Sequence, residues 1–257
     1  MEAESRGHRI HYEAWGYGPP LVLVIGLLQL SEDWLLTGIP QHFSRVRRVI
    51  ALDPLGQGQS DLPHGPGAYH DADLPADVIA VLDAESIDAT PLWGWSRGGR
   101  IAYLTAQEYP DRISAIIVGG QSAWSADESE ARHGYAAAAL DRSSDEFFDA
   151  IGIMDPEARR VCVERNDLAA VKAALQGSQE APVDVDLDAI RCPSLLYFGS
   201  VEPWADQALA DAQRLGASLR VFEGKDHLGT FLAGDEVIPV VEEFLARAGR
   251  SDAPDLP

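Results

Sequence analysis

Only two cysteines, Cys162 and Cys192, occur in 257 residues. They suggest neither a disulfide framework nor a metal site, and they predict ordinary buried or half-buried thiols in a reducing compartment, the cytoplasm. Positive charge is also scarce, with 20 Lys and Arg against 41 Asp and Glu and a formal net charge of -21. Such a surface repels phosphate backbones and anionic lipid, so no nucleic-acid or membrane partner is expected and a small-molecule substrate is. No apolar run approaches the ~18 residues of a membrane-spanning helix. The first residues, Met1 to Arg9, are polar and lack the apolar core of a signal sequence. The acids are scattered: Asp71, Asp73, Asp77, Asp83, Glu85 and Asp88, then Asp127, Glu128 and Glu130. They read as solvated helix faces and loops. The tail Ser251 to Pro257 is rich in Pro and Asp, which predicts a frayed end. There is no internal repeat, and nothing in the sequence speaks to oligomeric state.

What is present is enough apolar content, 46% of the chain, for one large core. His8 to Trp15 alternates as an edge strand does, and Gly16 to Pro20 is a turn. The continuous apolar run Leu21 to Ile25 predicts a strand covered on both faces. Further strands are predicted at Val46 to Leu52, Pro91 to Trp95 and Ile113 to Val118, with helices at Asp71 to Ser86 and Arg97 to Tyr109. Between about Gln121 and Ile190 the alternation gives way to helical segments, Ala131 to Leu140, Ser144 to Ile151, Pro156 to Arg165 and Leu168 to Leu175. It resumes with strand Ser194 to Phe198, helix Asp206 to Leu215, strand Ser218 to Phe222 and a last helix from Val237 to Ala248. Alternating strands and helices imply a mostly parallel central sheet flanked by helices. Residues 1–120 and 191–257 form its core, and residues 121–190 a helical insertion. Ligands of such sheets bind at the carboxyl ends of the strands.

The segment Leu92-Trp93-Gly94-Trp95-Ser96-Arg97-Gly98-Gly99 carries the chemistry. It places Gly-x-Ser-x-Gly between a predicted strand and a predicted helix, the setting of a nucleophile elbow. The turn is tight enough to strain Ser96, and Gly94 and Gly98 avoid collisions with the neighbouring strand and helix. The hydroxyl is thereby presented at a helix N-terminus, beside free backbone N–H groups.

With three further landmarks in order, the chain resembles the α/β-hydrolase family over nearly its whole length. An apolar strand ends in Ile25-Gly26-Leu27; Asp53-Pro54-Leu55-Gly56-Gln57-Gly58-Gln59-Ser60-Asp61 is similar to the family's D-x-x-G-x-G-x-S-D loop; and Gly224-Lys225-Asp226-His227 follows the last strand. The resemblance implies an α/β-hydrolase fold with a helical lid, and Ser96 as a nucleophile activated by His227, a loop residue able to reach the carboxyl edge of the sheet. The triad acid is implied in Gly199-Ser200-Val201-Glu202-Pro203, where Glu202 replaces the usual aspartate and Asp206 is the alternative. The amides of Leu27 and Arg97 are the implied oxyanion donors, with Leu28 if the loop shifts by one residue. Ile25 stands where the family commonly has the histidine of a His-Gly pair. The Asp53–Asp61 loop is expected to pack beneath the site, and the Arg97 side chain to turn away into a salt bridge. Trp34, Trp204, Trp124 and Phe147, with Phe148, Ile151, Ile153 and Met154, are candidate pocket residues, among which Trp34 and Trp204 belong to loops flanking the serine.

The implied activity is hydrolysis of a small or medium carboxylic ester or lactone, with no metal and no organic cofactor. Serine at position 96 disfavours the dehalogenase and epoxide-hydrolase branches, which use aspartate there. Carbon–carbon bond hydrolases, thioesterases and perhydrolases share the triad, and a non-hydrolytic small-molecule binding protein could keep the same pocket.

Overall fold

The computed structural model describes residues 1–251. The tail singled out above therefore lies, beyond Ser251, outside the described residues. Eight strands form one sheet in the order β1-β2-β4-β3-β5-β6-β7-β8. They are β1 (Glu2–Ser5), β2 (His8–Trp15), β3 (Pro20–Val24), β4 (Arg48–Leu52), β5 (Thr90–Trp95), β6 (Ile113–Gly119), β7 (Ser194–Gly199) and β8 (Ser218–Phe222). The pairs β1·β2 and β2·β4 are antiparallel, and every other neighbouring pair is parallel. The apolar runs of β3 and β5 occupy the middle of the sheet because both of their faces are covered. Leu21, Leu23 and Trp93 face one side with Val49 and Ile117, while Val22, Val24 and Leu92 face the other with Ile50 and Ile116.

Helices cover the sheet in two layers. In chain order they are α1 (Ile39–Phe43), α2 (Leu74–Ala84), α3 (Arg97–Glu108), α4 (Ala126–Arg142), α5 (Ser144–Ala150), α6 (Pro156–Arg165), α7 (Leu168–Glu180), α8 (Ala205–Leu215), α9 (His227–Phe231) and α10 (Gly234–Ser251). One layer buries Val78 and Leu82 of α2, Ile101 of α3 and Ala212 of α8. The opposite layer buries Phe43 of α1, Phe231 of α9 and Val241 and Phe244 of α10. None of the described helices is long and apolar enough to cross a membrane.

Helices α4–α7 lie between β6 and β7 and start from strong caps. Ser125 and Glu128 form a reciprocal capping box on α4; Asp155 and Asp167 accept backbone N–H bonds at the starts of α6 and α7. The segment has its own apolar centre of Ala136, Ala139, Phe147, Phe148, Val171 and Leu175, into which Leu28 of the body projects.

The body grips both ends of this insertion through one buried ion pair. Arg100 on α3 donates from Nη2 and Nε to Asp71 Oδ2, at 2.6 and 3.2 Å. The same guanidinium donates to the carbonyls of Val183 and Trp124, which flank helices α4–α7. Asp71 is fully buried and Asp77 nearly so, against the expectation of solvated acids. Their partners are distant in sequence: Arg100 and Ser129 for Asp71, Ser5 and Arg6 for Asp77.

A second clasp has a pH signature. Asp211 on α8 accepts the Ala123 N–H at 2.7 Å, and burial pushes its carboxyl up to about 6 from 3.8. A raised carboxyl favours the fold while protonated, and that contribution is lost as pH rises from about 4 through 6. Asp211→Asn keeps an acceptor for Ala123 and removes the charge. Thermal unfolding should therefore show the variant gaining about 1 kcal/mol more over the wild type at pH 8 than at pH 5. A pH-independent difference would mean that Asp211 is solvated.

Several boundaries differ from the sequence expectation. The edge strand is β1, not β2; its four residues bury only Ala3 and Ser5, too weak a pattern to stand out. His227 is not in a loop but opens α9, where the Asp226 side chain accepts the Gly229 N–H and starts the helix. The short α1 was not anticipated, and α10 starts at Gly234, three residues earlier than expected.

Candidate active site

Ser96 joins β5 to α3 with φ 52° and ψ -122°, a region costly for any residue with a side chain. The strain is held in place from both sides. Ser96 N–H donates to the Gly119 carbonyl at 2.8 Å, and its own carbonyl accepts from Gly99 N–H at 2.7 Å. A methyl group on Gly94 would strike the Gly98 carbonyl, and one on Gly98 would strike the Val24 carbonyl. Nothing larger than glycine fits at either position without moving the elbow.

Opposite the elbow, Glu202 in the turn after β7 has a fully buried side chain and two satisfied oxygens. Oε1 accepts the Gly199 N–H at 2.8 Å, and Oε2 lies 2.8 Å from His227 Nδ1. This contact fixes the neutral imidazole with its proton on Nδ1 and leaves Nε2 free to accept. Asp206 instead sits exposed in the first turn of α8, in the position that complements a helix dipole. The imidazole stacks on Trp95, the residue before Ser96, with ring centroids 4.7 Å apart, and Trp204 meets it edge-on at 5.4 Å. Gly120 makes this approach feasible, because a Cβ there would crowd both His227 and Trp95. Among the described residues the Ser96 hydroxyl has no hydrogen-bond partner. Such bonds often tighten only when substrate is bound.

The loop carrying Leu27 packs directly on the serine, since a Cβ on Gly26 would contact Ser96 Cβ. Leu28 is left-handed at φ 64°, and the Asn166 side chain caps its carbonyl at 3.1 Å. Gln57, from the Asp53–Asp61 loop, donates to the Gly26 and Gln29 carbonyls at 2.8 and 2.9 Å. It thus braces the loop in which Ile25 replaces the family's histidine. Asp53 holds the adjoining backbone by accepting from Ser31 and Gln59 N–H. Sequence reasoning gave this segment a packing role but missed Gln57, whose partners lie about thirty residues away.

The structure redistributes the predicted pocket residues. Trp204 borders His227. Trp34 does not line a pocket: it is fully buried in the core, against Trp93 and Phe231. Its loop folds under the sheet, so the indole belongs to the layer of α1 and α10. Phe147 and Phe148 are buried in the insertion's own centre, beside Leu28. Ile151 and Ile153 pack partly against that centre, whereas Met154 is exposed. Trp124 lies half-buried against His133 and under Arg132.

Arg97 departs most from expectation. Among the described residues no salt bridge receives it; the residue is 7% exposed, and both Nη1 and Nη2 are buried without a hydrogen-bond partner. Burial holds the guanidinium below its ordinary value, an effect partly offset by Asp71, Tyr69 and Asp77.

A profile described as "alpha/beta hydrolase fold" matches residues 19–150, about half of the chain. Epoxide hydrolase 4 of Mus musculus is 37% identical over 120 residues, 46% of this chain and 33% of that protein. Serine hydrolase BPHL of Homo sapiens is 30% identical over 131 residues, 48% of this chain and 43% of that protein. The aligned segments thus span less than half the length of these curated relatives. Over the full fold, the enol-lactonase from Burkholderia xenovorans LB400 superposes with a TM-score of 0.75 at 23% identity, covering 96% of this chain and 100% of that one.

Proposed function

The chain belongs to the α/β-hydrolase family, and we propose that it is a serine hydrolase of small or medium carboxylic esters or lactones. The carrying observation is the contact of buried Glu202 with His227 at 2.8 Å, the imidazole stacking on the residue that precedes the strained Ser96. In this reading His227 Nε2 takes the Ser96 proton as the hydroxyl oxygen attacks the carbonyl carbon. Glu202 orients the ring and stabilises the imidazolium. The Leu27 and Arg97 amides receive the developing oxyanion. Collapse expels the alkoxide, which leaves with the proton from His227. Water, deprotonated by the same histidine, then attacks the acyl-serine and regenerates Ser96.

The relative named for epoxide hydrolysis is weighed by the same chemistry. A serine that opened an epoxide would form an ether, and a histidine-activated water does not cleave an ether. An acyl-serine ester is readily cleaved, so the residue type favours carbonyl substrates. Residues 121–190 then act as a lid over the serine, with residues 1–120 and 191–257 as the catalytic body. Trp204 and Trp124 flank the substrate, a small molecule. The reading needs no metal or organic cofactor. The acidic surface argues against nucleic-acid and membrane partners, and the two half-buried cysteines fit a cytoplasmic protein.

The test is a panel of p-nitrophenyl butyrate, a δ-lactone and styrene oxide. Ester or lactone turnover without epoxide opening is expected, and the reverse would refute the reading. Glu202→Gln keeps an acceptor for Gly199 but turns an N–H toward His227 Nδ1. It should lower kcat/KM by about 10²–10⁴-fold, while Asp206→Asn changes it little. The opposite ranking would move the acid role to Asp206.

A further inference from the structure

Arg97 is one residue past the proposed nucleophile, and its amide is one of the two proposed oxyanion donors. Among the described residues its side chain has no bonded partner. Both Nη atoms are buried and unbonded. Three of the four neighbouring carboxylate oxygens are already engaged elsewhere. Asp71 Oδ2 accepts from Arg100, Ser129 and the Val183 N–H. Asp77 Oδ1 accepts from Ser5 and Arg6, and its Oδ2 from the Leu55 N–H. The Tyr69 hydroxyl donates to the Pro63 carbonyl. His133 faces the same cluster from the insertion and is driven down to about 3, so it is neutral near pH 7. The Arg97 guanidinium therefore sits among Asp71, Asp77, Arg100 and His133 without a bonded partner among the described residues. A buried guanidinium with idle donors is costly unless something fills them.

We propose that Arg97 is a carboxylate-binding residue, and that the substrate is an ester or lactone carrying a second, free carboxylate. This rests on the hydrolase reading above for its chemistry, but not for its binding test. The planar guanidinium fork matches a carboxylate through two parallel N–H bonds, which an ammonium cannot provide. The strained elbow fixes the position of Arg97 relative to Ser96, so a bound carboxylate sets the distance from that group to the scissile carbonyl. Asp71 Oδ1, buried and also without a partner, is available to a hydroxyl or amide N–H of the same ligand. The net charge of -21 would otherwise disfavour anions, which makes a local cation necessary for such a substrate.

The experiment has a binding arm and a kinetic arm, both on the full chain. Calorimetry compares glutarate with uncharged glutaramide on wild type, Arg97→Lys and Arg97→Gln. Glutarate should bind wild type, glutaramide should not, and Arg97→Gln should weaken glutarate about 10- to 100-fold, with Arg97→Lys in between. Kinetics compares mono-p-nitrophenyl glutarate with p-nitrophenyl pentanoate. Wild type should prefer the anionic ester at least about tenfold in kcat/KM, and Arg97→Gln should erase the preference. If Arg97→Gln does not fold, the two wild-type comparisons decide. Cleavage of the neutral ester without preference for the anion, and without glutarate binding, would overturn the proposal and leave the hydrolase reading intact. Arg97-dependent glutarate binding with no turnover of either ester would support the subsite and defeat the hydrolase reading.

Discussion

Ser96→Ala is expected to lower kcat for p-nitrophenyl butyrate by roughly 10⁴–10⁶-fold while leaving the fold intact. The effect is large because, in the proposed mechanism, the Ser96 hydroxyl alone takes the acyl chain, beside a Glu202–His227 pair whose imidazole stacks on Trp95. Stability should change little, since alanine keeps the Cβ and the elbow is held by backbone bonds from Gly119 and Gly99. His227→Ala should be comparably severe, and the double variant no worse than either single one, because the proposed mechanism has serine and histidine acting in the same step. Rates measured at several pH values on each variant provide the check. Additive losses would mean that the two residues work independently.

Asp71→Ala should be among the most damaging substitutions outside the proposed triad. It strips the partner from a guanidinium whose side chain is 2% exposed, next to the already unbonded Arg97. Removing one member of a buried pair costs about 3–5 kcal/mol. In a protein of this size that lowers the melting temperature by roughly 6–20 °C, at about 2–4 °C per kcal/mol. Arg100 also holds the Trp124 and Val183 carbonyls, so both ends of the insertion loosen together. Asp71→Asn, which retains an acceptor, should lose less. The apolar double variant Asp71→Leu/Arg100→Met should recover part of the loss by removing both charges. Urea unfolding of the set settles the order. A loss below about 1 kcal/mol for Asp71→Ala would show the pair to be solvated and dispensable.

Much of the scaffold was legible because its signals are local. Apolar runs marked β3 and β5, glycines at fixed spacing marked the elbow, and Pro156 after Asp155 marked the start of α6. Ser96, Glu202 and His227 could be singled out by motif position, and the structure brings Glu202 and His227 into contact. What escaped sequence reasoning depends on partners far along the chain. Gln57 braces Gly26 across 31 residues, and Asp71 meets Arg100 across 29. Gly120 looks like any strand-ending glycine until His227 is seen against it.

The corrections have the same origin. Trp34 follows the β3 loop in sequence, so it reads as a rim residue; the chain folds beneath the sheet and buries it against Trp93 and Phe231. The Arg97 side chain is expected in a salt bridge, but it is Arg100, one turn further along α3, that pairs with Asp71, through Oδ2. The two unpartnered Nη atoms of Arg97 follow from Asp71, just before α2, and side chains of α3 meeting in space, a juxtaposition with no local mark in the sequence.

The most direct measurement is the intact mass of wild type and Ser96→Ala after incubation with a fluorophosphonate. A single adduct is expected on wild type and none on the variant. A folded wild type that takes up no adduct, or a Ser96→Ala variant that takes it up equally, would contradict an activated serine at this elbow.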